Sequence, residues 1–131
     1  MFVVEIPTIL KYTFLIHFIV CMFFGFLFFL SPEFYHDVTA WPFFDPTTAR
    51  VMGSGFIAIG IASLFGYRAA SWEEVKIVVI CDIVFTLFGL LSMVWMMIVH
   101  TTIPALPGWF NASLFGLFFV LFLYSYYVAT R

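Results

Sequence analysis

Four long apolar stretches dominate this sequence and constrain the structure it can form. A bilayer core about 30 Å thick needs about 20 apolar residues in helix to cross it. The stretches that meet or approach this length are Tyr12–Leu30, Val51–Tyr67, Ile77–Val99 and Trp109–Tyr127. Proline and glycine residues lie between them and end each helix before the next begins. The sequence therefore predicts an all-α polytopic membrane protein, a single four-transmembrane-helix bundle over residues 1–131.

The composition agrees with a membrane environment. Of the residues, 65% are hydrophobic and 9% are charged, whereas soluble domains carry roughly 25% charged residues. No run of Lys or Arg is present, so a nucleic-acid partner is not expected and the lipid bilayer is the first partner predicted. Cys21 and Cys81 both lie in apolar stretches, which argues against a secreted disulfide scaffold. The first stretch exceeds the roughly 7–15 apolar residues of a signal peptide and is expected to be a retained helix.

The few basic residues predict an orientation. If the spans alternate in direction, Lys11, Arg68, Lys76 and Arg131 lie on one side of the membrane and Arg50 lies on the other. Basic residues in short loops concentrate on the cytoplasmic side. Both termini are therefore expected in the cytoplasm, with the protein integral to the cytoplasmic membrane or an equivalent inner membrane.

Two sequence signals predict helix starts. The segment Asp45-Pro46-Thr47-Thr48 predicts the start of the second span, with Asp45 or a Thr near the cap. Ser71 and Glu74 have the spacing of a capping box at the start of the third. The segment Ser31–Thr48 is the longest loop and the only one with room for structure of its own.

Small residues on the second span predict close helix packing. Residues four apart share a helix face, and the small ones at this spacing are Ser54, Ala58, Ala62 and Gly66. Four more widen the ridge, namely Gly53, Gly55, Gly60 and Ser63. Helices in lipid associate through such residues because they let backbones approach closely. The second span is therefore predicted to be the central packing helix, although the same ridge would also suit contact with a partner protein.

One face of the third span is polar. Its members follow a heptad spacing and are Asp82, Thr86, Gly89, Met93, Met96 and His100. Ionisable residues inside membrane spans are rare, face the bundle interior and mark functional sites. Asp82 lies six residues after Lys76, and His17 lies six residues after Lys11, so the two are expected at a similar depth.

A polar core is therefore predicted from four residues, which are His17, Ser63, Asp82 and Thr86. A His–Asp pair would lower the cost of burying either charge. Three interpretations of the pair stay open: a hydrogen bond that fixes which helix faces meet, a proton-linked or small-ligand pocket, and a docking site for a partner subunit.

A second candidate site lies at the far end of the third span. Soft thioethers and an imidazole are clustered there, on Met93, Met96, Met97 and His100. Ligands of this kind suit Cu(I), so copper is one cofactor hypothesis. Methionine on a helix is more often core filler. Haem or chlorophyll ligation by His17 or His100 is another hypothesis, and the cofactor is otherwise unknown.

The segment Asp45-Pro46-Thr47-Thr48-Ala49-Arg50, leading into the Gly-rich helix Val51–Gly66, resembles the DoxX-like group of small four-helix membrane proteins. The chain length and the four spans extend this resemblance by topology. Some DoxX-like proteins look like subunits of quinone-linked oxidoreductases, so the resemblance implies an accessory role. It assigns no function to any residue by position.

Two functions follow as hypotheses. The first is a non-catalytic accessory or assembly subunit of a larger membrane complex, in contact with other membrane subunits or with copies of itself. It is favoured because the chain has almost no extramembrane mass and no nucleophile elbow, phosphate loop or zinc motif. The alternative is a stand-alone binder or transporter of a small ligand, a proton or copper that uses the His–Asp core. Enzymatic activity is the less expected outcome.

Overall fold

The computed structural model describes residues 4–131, so the first three residues of the predicted domain lie outside it. The described chain forms five helices, which are α1 (Thr8–Leu30), α2 (Pro32–Thr39), α3 (Pro46–Arg68), α4 (Trp72–Val99) and α5 (Ala105–Ala129). The helices α1, α3, α4 and α5 are each long and apolar enough to cross a membrane. The predicted all-α, four-helix membrane bundle is confirmed.

The predicted helix starts are confirmed, one of them in altered form. Asp45 is the N-cap of α3, and its carboxylate accepts hydrogen bonds from the amides of Thr47 and Thr48. Ser71 is the N-cap of α4, but its hydroxyl donates to the Glu74 carboxylate at 2.8 Å instead of accepting from a backbone amide. The segment before α1 also meets this turn, since the Trp72 amide donates to the Val4 carbonyl at 3.0 Å.

A short helix that the sequence did not predict occupies the loop after α1. Helix α2 begins at Pro32, directly after α1 ends at Leu30. Proline suits the first helical position because its missing N–H needs no partner there. The helix ends at Thr39, and its C-cap residue Ala40 adopts the left-handed conformation with φ 54° and ψ 37°. Its amide donates to the His36 carbonyl and closes the last turn.

The long helices form two tight pairs. Helix α1 packs chiefly against α3, and α4 against α5, whereas α3 and α4 touch only sparsely. Glycine allows the α1–α3 approach, since a Cβ on Gly53 would lie 2.6 Å from the Phe29 amide nitrogen and 2.7 Å from the Gly25 carbonyl oxygen. In the other pair the ring of Phe115 lies over Gly89, and the Met97 sulfur lies over Gly108.

Helix α3 buries part of the predicted small-residue ridge, namely one residue of its main row and three of the four residues that widen it. Ser54 and Ala58 are exposed, Ala62 is half-buried, and of the predicted four Gly66 alone is buried. The buried positions of α3 are Gly53, Gly60, Ser63 and Gly66. The packing face is rotated because two small-residue patterns overlap on this helix, and α1 takes the one with glycine at the closest contacts.

The main apolar core and the start of α2 lie toward opposite ends of the bundle. The main apolar core lies at the end that carries the termini and includes Leu10, Phe14, Val75, Val79, Phe118 and Phe122. The outer surface is apolar along all four long helices, with Phe23, Phe65 and Trp95 each more than half exposed. A surface of this kind suits contact with lipid tails.

Candidate ligand-binding cavity

A cavity of about 520 Å³ lies between the two helix pairs, in the half of the bundle that carries α2. All five helices and the segment after α2 contribute to its wall. Much of that wall is aromatic, provided by Phe24, Phe28, Phe44, Phe56, Phe85, Phe115 and Phe118. The exposed residues of its lining are Met52 of α3 and Ser92 of α4, together with Phe43, Asp45 and Thr48 at the segment that leads into α3, so the cavity opens both between these helices and at the start of α3.

His17 lies at the buried end of the cavity, which is formed by His17, Cys21, Thr86 and Phe118. All four side chains are buried. The His17 Nδ1 is 2.8 Å from the Ser63 hydroxyl, a hydrogen bond that joins α1 to α3. The imidazole also packs against the ring of Phe118 at 4.6 Å and that of Phe122 at 5.0 Å between centroids. These contacts from α3 and α5 fix the orientation of the imidazole.

The expected His17–Asp82 pair does not form. Within residues 4–131, no ion pair or hydrogen bond joins the two side chains, and His17 Nδ1 binds Ser63. Asp82 is buried but lies outside the cavity wall, and its Oδ2 has no hydrogen-bond partner in the described chain. Thr86, one turn further along α4, does line the cavity, and its hydroxyl donates to the Asp82 backbone carbonyl at 2.6 Å.

The opposite end, the α2 end, is polar as well and consists of Tyr35, His36, Asp45 and Asn111. The Asn111 amide donates to the Tyr35 hydroxyl at 2.7 Å. Burial raises the pKa of Tyr35, so the phenol stays protonated at neutral pH and retains a hydrogen to donate. Among the described residues that line the cavity, none is Lys or Arg.

Helix α2 is held to its neighbours by contacts on both of its sides. Glu33 accepts a hydrogen bond from Arg50 of α3 at 3.0 Å, while Tyr35 packs against Phe28 of α1 at 4.8 Å between ring centroids. A backbone hydrogen bond and then the Arg50 guanidinium lower the pKa of Glu33, so this contact is ionic at neutral pH. These contacts with α1 and α3 therefore hold α2 in place at this end of the cavity.

The chain matches no protein-family model, no curated protein and no solved structure. The geometry of the cavity is therefore the basis on which function is inferred.

The predicted Met–His site is divided by the fold. Met93 and Met96 line the cavity, while Met97 packs on Gly108. His100 lies beyond the end of α4, and its ring packs against Phe43 at 4.7 Å between centroids. Within residues 4–131, no group of three or more His, Cys, Asp and Glu side chains is placed to hold a metal.

The sequence did not indicate that Tyr35 and Asn111 meet at the α2 end, nor which phenylalanine side chains line the cavity. Tyr35 and Asn111 are 76 positions apart in the chain, and neither belongs to a periodic polar pattern. Pro32 after Ser31 was the available signal for α2, since proline favours the first turn of a helix. The wall residues had no distinguishing signal, because phenylalanine is common on every span, including the lipid-facing sides.

Proposed function

We propose that this integral membrane protein binds a small, largely apolar molecule in the cavity between its helix pairs. The observation that carries the proposal is the cavity, whose volume of about 520 Å³ lies within the roughly 300–1,000 Å³ of small-molecule sites. Its wall is mainly aromatic, and its polar groups lie at the ends and at the opening. A wall of this kind receives an apolar body, while a few polar groups set its orientation.

The sideways opening supports access from the bilayer. Met52 and Ser92 lie at the opening between α3 and α4, beside exposed apolar residues such as Val51, Leu91 and Trp95. A molecule dissolved in the hydrocarbon would reach the cavity without crossing water. This favours a lipid-soluble ligand over an ion or a water-soluble solute.

Packing energetics also favour an occupant. Protein interiors are close-packed, so the aromatic side chains of the wall lose van der Waals contacts wherever nothing lies against them. An apolar molecule that fills the space would restore much of the lost contact with the aromatic wall.

A second candidate function is that of an accessory or assembly subunit in a larger membrane complex. It is favoured by the exposed small residues Ser54 and Ala58 on α3, beside Gly55, around which the nearest 4 Å is open. A face of small residues permits close approach of a helix from another protein. The proposed DoxX-like relationship, which implies an accessory role, agrees with this candidate.

One pair of variants tests both candidates. Ala49→Phe places a ring in the cavity, whereas Ala58→Phe places the same ring on the exposed face of the same helix. The wild type and both variants are purified in mild detergent from their own membranes and measured by native mass spectrometry. Ligand binding predicts a bound small molecule in the wild type and Ala58→Phe that is lost in Ala49→Phe.

The accessory role predicts the reverse pattern. Stoichiometric larger subunits would accompany the wild type and Ala49→Phe and would be lost from Ala58→Phe. A wild-type protein that carries no small molecule, or one that persists in Ala49→Phe, would contradict binding in the cavity.

A further inference from the structure

We infer that His17 recognises the bound molecule by donating a hydrogen bond from Nε2 to a neutral oxygen acceptor, such as a carbonyl, at one end of an apolar ligand. The inference rests on the proposed function, because it names the class of ligand that the same cavity takes.

The hydrogen bond with Ser63 determines which nitrogen of the His17 imidazole carries the proton. Ser63 is the hydrogen-bond partner of His17 Nδ1, and the Ser63 hydroxyl has no backbone acceptor within residues 4–131. Other helix hydroxyls in this chain do have one: Ser113 donates to Trp109 and Ser125 donates to Leu121 within their own helices. The Ser63 hydrogen is therefore directed to Nδ1, and a neutral imidazole that accepts at Nδ1 carries its own proton on Nε2.

The surroundings of His17 Nε2 determine which group a ligand must offer at this end of the cavity. His17 lines the cavity, and its Nε2 has no hydrogen-bond partner in the described chain. An N–H that borders an apolar cavity without an acceptor gains a hydrogen bond when a ligand oxygen lies against it, so an oxygen at this position is favoured. The flanking rings of Phe118 and Phe122 hold the imidazole plane, so the direction of the N–H is set before a ligand arrives.

His17 is the strong hydrogen-bond donor available at the buried end of the cavity. The Thr86 hydroxyl is the other polar side-chain group at the buried end, and its hydrogen is donated to the Asp82 backbone carbonyl. Cys21 offers only a weak S–H donor. A ligand at the buried end therefore meets one strong donor, which selects for an acceptor atom.

The composition of the cavity wall disfavours a negatively charged acceptor. Lys and Arg are absent from the described residues of the cavity wall, and the buried end is bordered by the apolar core. A carboxylate placed there would lose its hydration without gaining a cation. A ketone, aldehyde or ester oxygen has no such cost, so the acceptor is neutral.

Three naphthalene probes of similar shape test the inference. They are 2-acetylnaphthalene, which carries a carbonyl, 2-isopropylnaphthalene, which lacks the oxygen, and 2-naphthoate, which is charged. Binding to the full chain in detergent is followed by naphthyl fluorescence and corrected for partition into protein-free micelles. The wild type is expected to prefer the ketone to the hydrocarbon by about tenfold, with naphthoate the weakest.

Two variants at His17 assign the preference to Nε2. His17→Phe keeps an aromatic ring between Phe118 and Phe122 but removes the donor, so it is expected to bind both neutral probes equally. His17→Gln keeps an N–H donor and is expected to recover part of the ketone preference. Binding of 2-isopropylnaphthalene by each variant verifies that the cavity is intact. The infrared carbonyl stretch of bound 2-acetylnaphthalene is expected at lower frequency in the wild type than in His17→Phe.

The outcomes separate this inference from the proposed function. If both neutral probes bind the wild type equally, or the ketone preference survives in His17→Phe, the inference is overturned while the cavity remains a binding site. If neither neutral probe binds the wild type, both the inference and the proposed function are overturned.

Discussion

The hydrogen bond between His17 and Ser63 joins α1 to α3 inside the apolar part of the bundle. Hydrogen bonds between membrane helices contribute about 0.6 kcal/mol on average, so the energy gained is modest. The consequence for specificity is larger. A rotation of either helix would leave two buried polar groups without partners, and each would carry a desolvation cost. This contact therefore selects the rotational setting of the α1–α3 pair.

Asp82 differs from His17 because its carboxyl group has no partner. Its Oδ2 is buried without a hydrogen bond in the described chain, and an unsatisfied buried polar group costs about 1–3 kcal/mol. Asp82→Asn preserves the size of the side chain and removes no side-chain hydrogen bond or ion pair formed within residues 4–131. We expect its free energy of unfolding, measured by SDS titration in mixed micelles, to equal or exceed that of the wild type.

The same experiment tests the pairing that the sequence suggested. Breaking a buried His–Asp pair costs about 3–5 kcal/mol, so a loss of that size in Asp82→Asn would mean that the pair exists in the membrane. Asp37→Asn is the matched control, because Asp37 is exposed on α2.

At the scale of the element, the α1–α3 contact depends on Gly53. A Cβ at this position would meet backbone atoms of α1, the Phe29 nitrogen at 2.6 Å and the Gly25 oxygen at 2.7 Å. Backbone cannot rotate away as a side chain can, so Gly53→Ala must push the helices apart. We expect it to lower the free energy of unfolding by about 1–3 kcal/mol or more, by SDS titration.

Gly55→Ala is the control for this prediction. It lies on the same helix with open space around its Cβ position, so we expect no loss of stability. Equal losses in the two variants would show that glycine acts here through backbone flexibility and not through the helix contact.

The start of α3 gives a prediction about pH. Hydrogen bonds from the hydroxyl and amide of Thr48, and then from the amide of Thr47, lower the pKa of Asp45. A carboxylate whose pKa is lower in the folded state contributes stability above its unfolded pKa and loses it as the pH falls through the folded value. We expect the melting temperature to fall between about pH 4 and about pH 2, where carboxylates titrate.

Asp45→Asn tests that assignment. Asparagine caps a helix about as well as aspartate but does not titrate in this range. Circular dichroism melts of the variant should therefore depend less on pH than those of the wild type. An unchanged pH dependence would assign the acid sensitivity to another carboxylate, with Glu33 the next candidate because Arg50 also helps to lower its pKa.

The elements differ in how far the sequence predicts them. The four long helices follow from apolar length, and the α3 start follows from Asp45 before Pro46, because both signals are local. Helix α2 has eight residues and mixed polarity, so no periodic pattern predicts it. The packing face of α3 and the partner of His17 depend on which helix lies opposite. Two small-residue patterns overlap on α3, and Ser63 and Asp82 were both available to His17 on helices whose order was unknown.

At the scale of the whole molecule, the bundle has two unlike halves. The half with the termini is filled by the apolar core of Leu10, Phe14 and Phe122 and gives the bundle its stable base. The other half separates the helix pairs around the cavity, with α2 linked across it by Glu33 and Tyr35. His17 lies where the two halves meet. This division places the proposed ligand site directly beside the apolar core.

The arrangement of the molecule in the membrane is the last prediction. Four spans place both termini on one side, and the basic residues Lys11, Lys76 and Arg131 predict that this side is the cytoplasm. Single cysteines, introduced after Cys21→Ala and Cys81→Ala, report the side at exposed positions. In intact cells, a membrane-impermeant maleimide should label Asp37→Cys and should leave Thr130→Cys unlabelled until the cells are opened. The opposite labelling pattern would mean that the termini face away from the cytoplasm. The α2 end of the cavity, with its acidic Asp45, would then face the cytoplasm.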